Sequence, residues 1–149
     1  MLTRLYVHNY RCMDNFEIHL DRISVLLGPN GSGKSSVFDV LFALRGLLVD
    51  NARIGDVLSE EDLTVWINKP EQSFELDIKS EAGLYIYRLV VSHNAAIGKQ
   101  RIETEELLLE GKPLCASNRG QVQLYRDDHS PGPSYPFDWT LSALATLMP

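Results

Sequence analysis

The chain has 149 residues, 14 Lys and Arg against 20 Asp and Glu, a formal charge of −6 and 44 % hydrophobic residues. That balance excludes wholesale disorder, and the length predicts one domain large enough to bury a core. Net acidity argues against a generally basic nucleic-acid-coating protein, and no apolar run approaches the roughly 20 residues of a membrane span.

In chain order, residues 2–8 read as a strand and 9–15 as a turn. Phe16, Ile18 and Leu20 alternate with polar residues, the pattern of a half-buried strand. Residues 23–27 (Ile-Ser-Val-Leu-Leu) form a short apolar run that suits a strand covered on both faces in a parallel sheet. A glycine-rich stretch, 28–35, follows. Val37, Val40, Leu41, Leu44, Leu47 and Leu48 then recur at helical spacing, which predicts an amphipathic helix of about four turns. From residue 64 the period changes to alternation. Phe74, Leu76 and Ile78 mark one strand, 84–93 and 101–109 two more, and 121–126 a last short one, with turns at 81–83, near Gly98 and at 110–113. Together these predict a meander of antiparallel hairpins. The prolines between Asp127 and Asp138 read as a loop or linker, and Trp139 to Leu147 as the start of a helix with Asp138 as its N-cap, stopping at Pro149.

Cys12 and Cys115 are the only cysteines and lie far apart, which fits free thiols in a reducing cytoplasm better than a disulfide scaffold. The four histidines, His8, His19, His93 and His129, show no metal-ligand spacing. The N-terminus has no signal-peptide layout.

Residues 28–35, Gly-Pro-Asn-Gly-Ser-Gly-Lys-Ser, fit G-x-x-x-x-G-K-[ST] at Gly28, Gly33, Lys34 and Ser35, between an apolar run and a helix as the motif requires. Gly28 lets the chain turn off the preceding segment. Gly31 and Gly33 lack Cβ atoms, so backbone N–H groups can close around phosphate oxygens. The helix aims its N-terminal partial charge and free N–H groups at the same anion. Lys34 would reach the β- and γ-phosphates of a nucleotide, and Ser35 would offer its hydroxyl to Mg²⁺.

This stretch resembles the phosphate loop of ABC-class ATPases, in particular the SMC, RecF and OLD-like branch. The opening is similar too: Asn9-Tyr10-Arg11 resembles that branch's Asn-Phe-Arg turn, and Ser36-Val37-Phe38-Asp39-Val40-Leu41 its helix start. The resemblance extends to AAA-type ATPases of bacterial repair and phage defence. It implies an α/β fold with α+β character: a P-loop NTPase N-terminal lobe with a mixed sheet, one P-loop helix and an antiparallel β-hairpin subdomain. The corresponding division is 1–63 for the phosphate-loop core, 64–126 for the β-subdomain and 127–149 for a proline-rich loop leading into a truncated helix. It implies ATP and Mg²⁺ as ligands, held by Gly28, Asn30, Gly31, Ser32, Gly33, Lys34 and Ser35, with Ser36 touching the α-phosphate. Arg11 is either a nucleotide contact or a surface turn residue. Arg53 resembles an arginine that SMC heads place near their nucleotide, or it complements a helix end.

The family's Walker B aspartate, catalytic glutamate and ABC signature have no counterpart. Leu107-Leu108-Leu109-Glu110 ends in a turn and reads as a hairpin strand; Gln100, Gln121 and Gln123 lack a diagnostic context; Asp39 and Asp50 receive no catalytic role. The resemblance therefore implies that a missing C-terminal lobe or a second ATPase head, in a homo-oligomer, completes the site, with DNA or an effector protein as further partner and no membrane. Two other readings remain. One is a GTPase or small-molecule kinase, for which Asn68-Lys69-Pro70-Glu71 imitates a guanine-reading motif. The other is a non-catalytic nucleotide-binding or interaction module.

Overall fold

A computed structural model describes residues 1–147; the expected helix stop at Pro149 lies outside them. Eight strands form one sheet: β1 Leu2–His8, β2 Phe16–His19, β3 Glu71–Ser80, β4 Gly83–Asn94, β5 Lys99–Leu109, β6 Lys112–Asn118, β7 Gln121–Tyr125 and β8 Pro131–Pro136. Their spatial order is β2-β1-β3-β4-β5-β6-β7-β8, and every pairing is antiparallel. Among the described residues three helices accompany it: α1 Lys34–Leu48, α2 Ile54–Val57 and α3 Ala143–Leu147. A 3-10 turn spans Glu60–Asp62.

Strand alternation sets the two faces of the sheet. Leu5 and Val7 of β1, Phe74 and Leu76 of β3, and Tyr87, Leu89 and Val91 of β4 are buried and meet Val37, Val40, Leu44 and Leu47 of α1 in one core. The opposite face is polar. There Arg4 bridges Glu17, Glu75 and Asp77 at 2.9, 3.0 and 3.2 Å, and Arg88 continues the ladder to Glu75 and Glu106.

Four expectations change. The sheet is antiparallel rather than mixed, because residues 23–27 pair with no strand among the described residues; Ile23 and Leu27 are each 88 % exposed. An apolar run becomes a buried strand only where neighbours cover it. The proline-rich stretch contains β8, paired to β7 in register Gln121↔Pro136 and Val122↔Tyr135. Proline is tolerated there because β8 is an edge strand. Residues 112–118, expected to begin as a turn, form β6. The last helix starts at Ala143. Asp138 closes the turn before it, accepting from Thr140 N at 2.9 Å, while Ser142 Oγ accepts from Ala145 N at 3.1 Å.

A β-bulge re-aims β5. Ile102 pairs with Val91 and Thr104 with Val90, so Glu103 is the extra residue. Ile102 and Glu105 consequently both face the core, with the phase of the alternation changed between them. The buried Glu105 carboxylate accepts from Tyr87 Oη at 2.9 Å, from the Ser142 hydroxyl and from Ala143 N at 2.9 Å, which ties the start of α3 to the sheet. Burial raises the pKa of Glu105, and those hydrogen bonds oppose the rise.

A second buried polar network ties the end of β1 to the segment before β3. Asn9 Nδ2 donates to Lys69 O at 2.9 Å and to Glu71 O at 2.8 Å, and Asn9 Oδ1 accepts from Thr64 N at 3.1 Å. Gln72 Nε2 donates to Asn9 O at 3.0 Å and Asp62 O at 3.4 Å. Gln72 Oε1 is thereby the acceptor for His93 Nε2 at 2.7 Å, which assigns the proton to that ring nitrogen. Nδ1 of His93 is buried without a partner. Burial lowers the His93 pKa, with Asp62 and Glu60 pulling the other way.

Two outcomes follow. Glu105→Ala strands two hydroxyls and one amide without acceptors and is expected to lower stability by about 2–3 kcal/mol in chemical denaturation. For His93, the unfolded chain takes up a proton near the ordinary value of 6.5 while the folded chain resists it. Stability is then expected to fall as the pH drops below about 6.5, and thermal melts of His93→Gln should show a shallower slope over that range.

Candidate functional site

The 28–33 loop makes few backbone hydrogen bonds of its own; Ser32 N donates to Pro29 O at 3.2 Å. What fixes it is α1, whose buried face is anchored in the core. Gly33 caps that helix with φ 96° and supplies no side-chain cap, and Gly31 has φ 83°. Both lie in the left-handed region, where a side chain is strained. A Cβ on Gly33 would also meet Cys12 Sγ at 2.9 Å. Gly28 is not left-handed; a Cβ there would meet the Ser32 hydroxyl at 2.7 Å, so its role is room rather than turning.

The uncapped start of α1 leaves the first amides of the helix without intrahelical acceptors. They open on a cavity of about 430 Å³ lined by Asn30, Gly31, Gly33, Lys34, Ser35 and Ser36, with Arg11 and Cys12 on its other side. The structure thus brings together seven of the nine expected residues. Gly28 and Ser32 stand outside the lining, although Gly28 O accepts a hydrogen bond from Lys34 Nζ. Arg53 points elsewhere, to Asp138 at 3.1 Å and Thr140 at 2.5 Å. Gln121 and Gln123 bond within the β7–β8 hairpin, at 2.8 Å to Ser134 Oγ and 3.0 Å to Gly132 O respectively. Glu110 lies in the β5–β6 turn.

Arg11 reaches the cavity from the turn after β1. Its backbone has φ 50°, its N–H donates to Asp62 O at 2.6 Å, and its Nε donates to Asp62 Oδ1 at 3.2 Å. Its Nη1 donates to Asp39 Oδ2 on α1. Asp62 is itself fixed, because Ser59 N donates to its Oδ2 at 3.0 Å in a capping box. Sequence reasoning did not find Cys12, Asp39 or Asp62 at this site. Asp39 had one available signal: it lies four residues after Ser35 and therefore on the same side of the helix.

A glycine-rich, uncapped helix start facing a cavity with one lysine, one arginine and hydroxyls is equipped to hold an anion. Among the described residues no cluster of three or more His, Cys, Asp or Glu could hold a metal ion, and no helix is long and apolar enough to cross a membrane.

The comparisons with known proteins agree with this chemistry. A 46-residue stretch is 35 % identical to the OLD nuclease of Thermus scotoductus (strain ATCC 700910 / SA-01), covering 31 % of this chain and 9 % of that protein. The family model described as the AAA ATPase domain matches residues 1–113, which hold both the glycine-rich loop and the sheet as far as the start of β6. The chain belongs to the AAA ATPase domain family.

Proposed function

We propose that this chain is the ATP-binding lobe of an ATPase of the SMC, RecF and OLD-like branch, holding ATP and Mg²⁺ at residues 28–36. The observation that carries the reading is the uncapped N-terminus of α1, whose free amides share one cavity with Lys34, Ser35 and Arg11. The amides and the Lys34 ammonium neutralise phosphate charge, and the left-handed glycines let the backbone approach closely. The Ser35 hydroxyl, in the cavity lining, is a hard oxygen ligand that would hold Mg²⁺. When bound there, Mg²⁺ would supply positive charge that offsets the charge of the phosphates.

Hydrolysis also needs a carboxylate that positions water, and none of the cavity-lining residues supplies one. A second lobe or a second copy would bring it. The uncovered apolar surface supports this: Ile23, Val25 and Leu27 on the unpaired segment, with Phe38 and Phe42 on the outward side of α1 and Val49 just past its end. A helix apolar on both sides is expected to be covered on both. The resemblance of residues 9–11 and 28–41 to that branch is the ground for proposing work in DNA repair or anti-phage defence, on DNA or an effector protein; the short similarity to an OLD nuclease bears only on the OLD-like family. Free thiols at Cys12 and Cys115 support a cytoplasmic setting.

Lys34→Ala is expected to abolish ATP binding while leaving the fold intact, and Ser35→Ala to weaken only the magnesium-dependent part, as read by titration with and without Mg²⁺. An unchanged ATP affinity in Lys34→Ala overturns the site. Preference for GTP in competition would favour a GTPase instead. Phosphate release by the purified chain at an ordinary ATPase rate would show that no second lobe or head is needed.

A further inference from the structure

Two cations face the cavity, and each is engaged by a local partner. Lys34 Nζ folds back on Gly28 O, and the Arg11 guanidinium is shared between Asp62 and Asp39. The two aspartates hold Arg11 unequally. Asp62 grips it twice, through the main chain at 2.6 Å and through Nε at 3.2 Å, and is itself locked by Ser59 and Gln72. Asp39 grips only Nη1, in a pair whose side chains are 41 % and 44 % exposed. An ion pair that open to water contributes little.

We propose that Arg11 is an exchangeable arm: anchored on Asp62, it leaves Asp39 for the phosphates of the nucleotide, so that Asp39 competes with nucleotide and sets its affinity. The inference rests on the nucleotide-binding reading above. Three observations support it. Arg11 has φ 50°, a strained conformation for arginine that glycine or asparagine would adopt more easily, and it persists because the Asn9–Gln72–Asp62 network fixes the turn. The guanidinium lies over the Tyr10 ring, 5.0 Å from its centroid, which gives it a platform that both positions can share. Chemically, a planar guanidinium matches phosphate with two parallel hydrogen bonds, whereas Asp39 receives one. Asp39 sits one turn beyond Ser35 and outside the cavity lining, so it acts on the nucleotide through Arg11.

The test is a titration of the full chain with MgATP, recording affinity, melting temperature and the Arg11 Nε–H resonance. Asp39→Asn is expected to tighten binding about threefold. Arg11→Ala is expected to weaken it about tenfold, and adding Asp39→Asn to Arg11→Ala to change nothing further. In the wild-type chain the Arg11 Nε–H resonance moves on saturation. Equal tightening with and without Arg11 means simple charge repulsion and overturns the exchange. So does an Asp39→Asn affinity equal to wild type, or an Arg11 resonance that stays put at saturation. If wild type binds MgATP, Lys34→Ala does not, and Asp39→Asn has no effect, the exchange alone fails. If wild type does not bind, the nucleotide reading fails with it.

Discussion

The seating of α1 on the sheet is the constraint from which the site derives its shape. The 28–33 loop has almost no backbone hydrogen bonds of its own, so its geometry is held mainly from one end, by a helix whose Val37, Val40, Leu44 and Leu47 lie in the core. Burial of four aliphatic side chains is worth several kcal/mol, roughly 1.5–3 for each one fully removed from water. That is ample to fix a helix axis and so to fix where its free amides point. The Arg11–Asp39 pair adds a second tie between the same helix and the turn after β1, but a half-exposed pair orients more than it stabilises.

Two buried polar networks do for the periphery what the apolar core does for the centre. The Asn9–Gln72–His93 group joins the β1 turn, the 59–70 segment and the starts and ends of β3 and β4. Glu105 joins β4 and β5 to α3. In each case one side chain satisfies several donors that would otherwise be stranded, which explains why polar groups can sit in a core at all. They specify one arrangement of loops where apolar contacts alone would tolerate several.

The glycine-rich loop and its helix were legible because both signals are local: the motif is contiguous, and the helical face repeats within 15 residues. β1, β2 and the central hairpins were legible for the same reason. Residues 23–27 misled because an apolar run encodes a preference for cover without saying whether a cover exists. β6 was missed because Cys115, Ala116 and Ser117 have little strand signature, and β8 because three prolines outweigh the alternation. The bulge at Glu103 left no mark in the pattern, and it decides that Glu105 and not Thr104 faces inward. Asp39 and Asp62 could not be joined to Arg11 from sequence, since 28 and 51 residues separate the partners.

The prolines of β8 have a consequence for how the sheet can grow. Pro131, Pro133 and Pro136 have no N–H to offer, so this edge is a poor template for any added strand. At the other end, the four-residue β2 leads directly into the bare 23–27 segment, whose N–H and C=O groups no described strand takes. The two margins of the sheet therefore differ: β2 keeps a backbone N–H at each of its four residues, whereas β8 lacks one at three of its six, so the edges are unequal templates for a further strand.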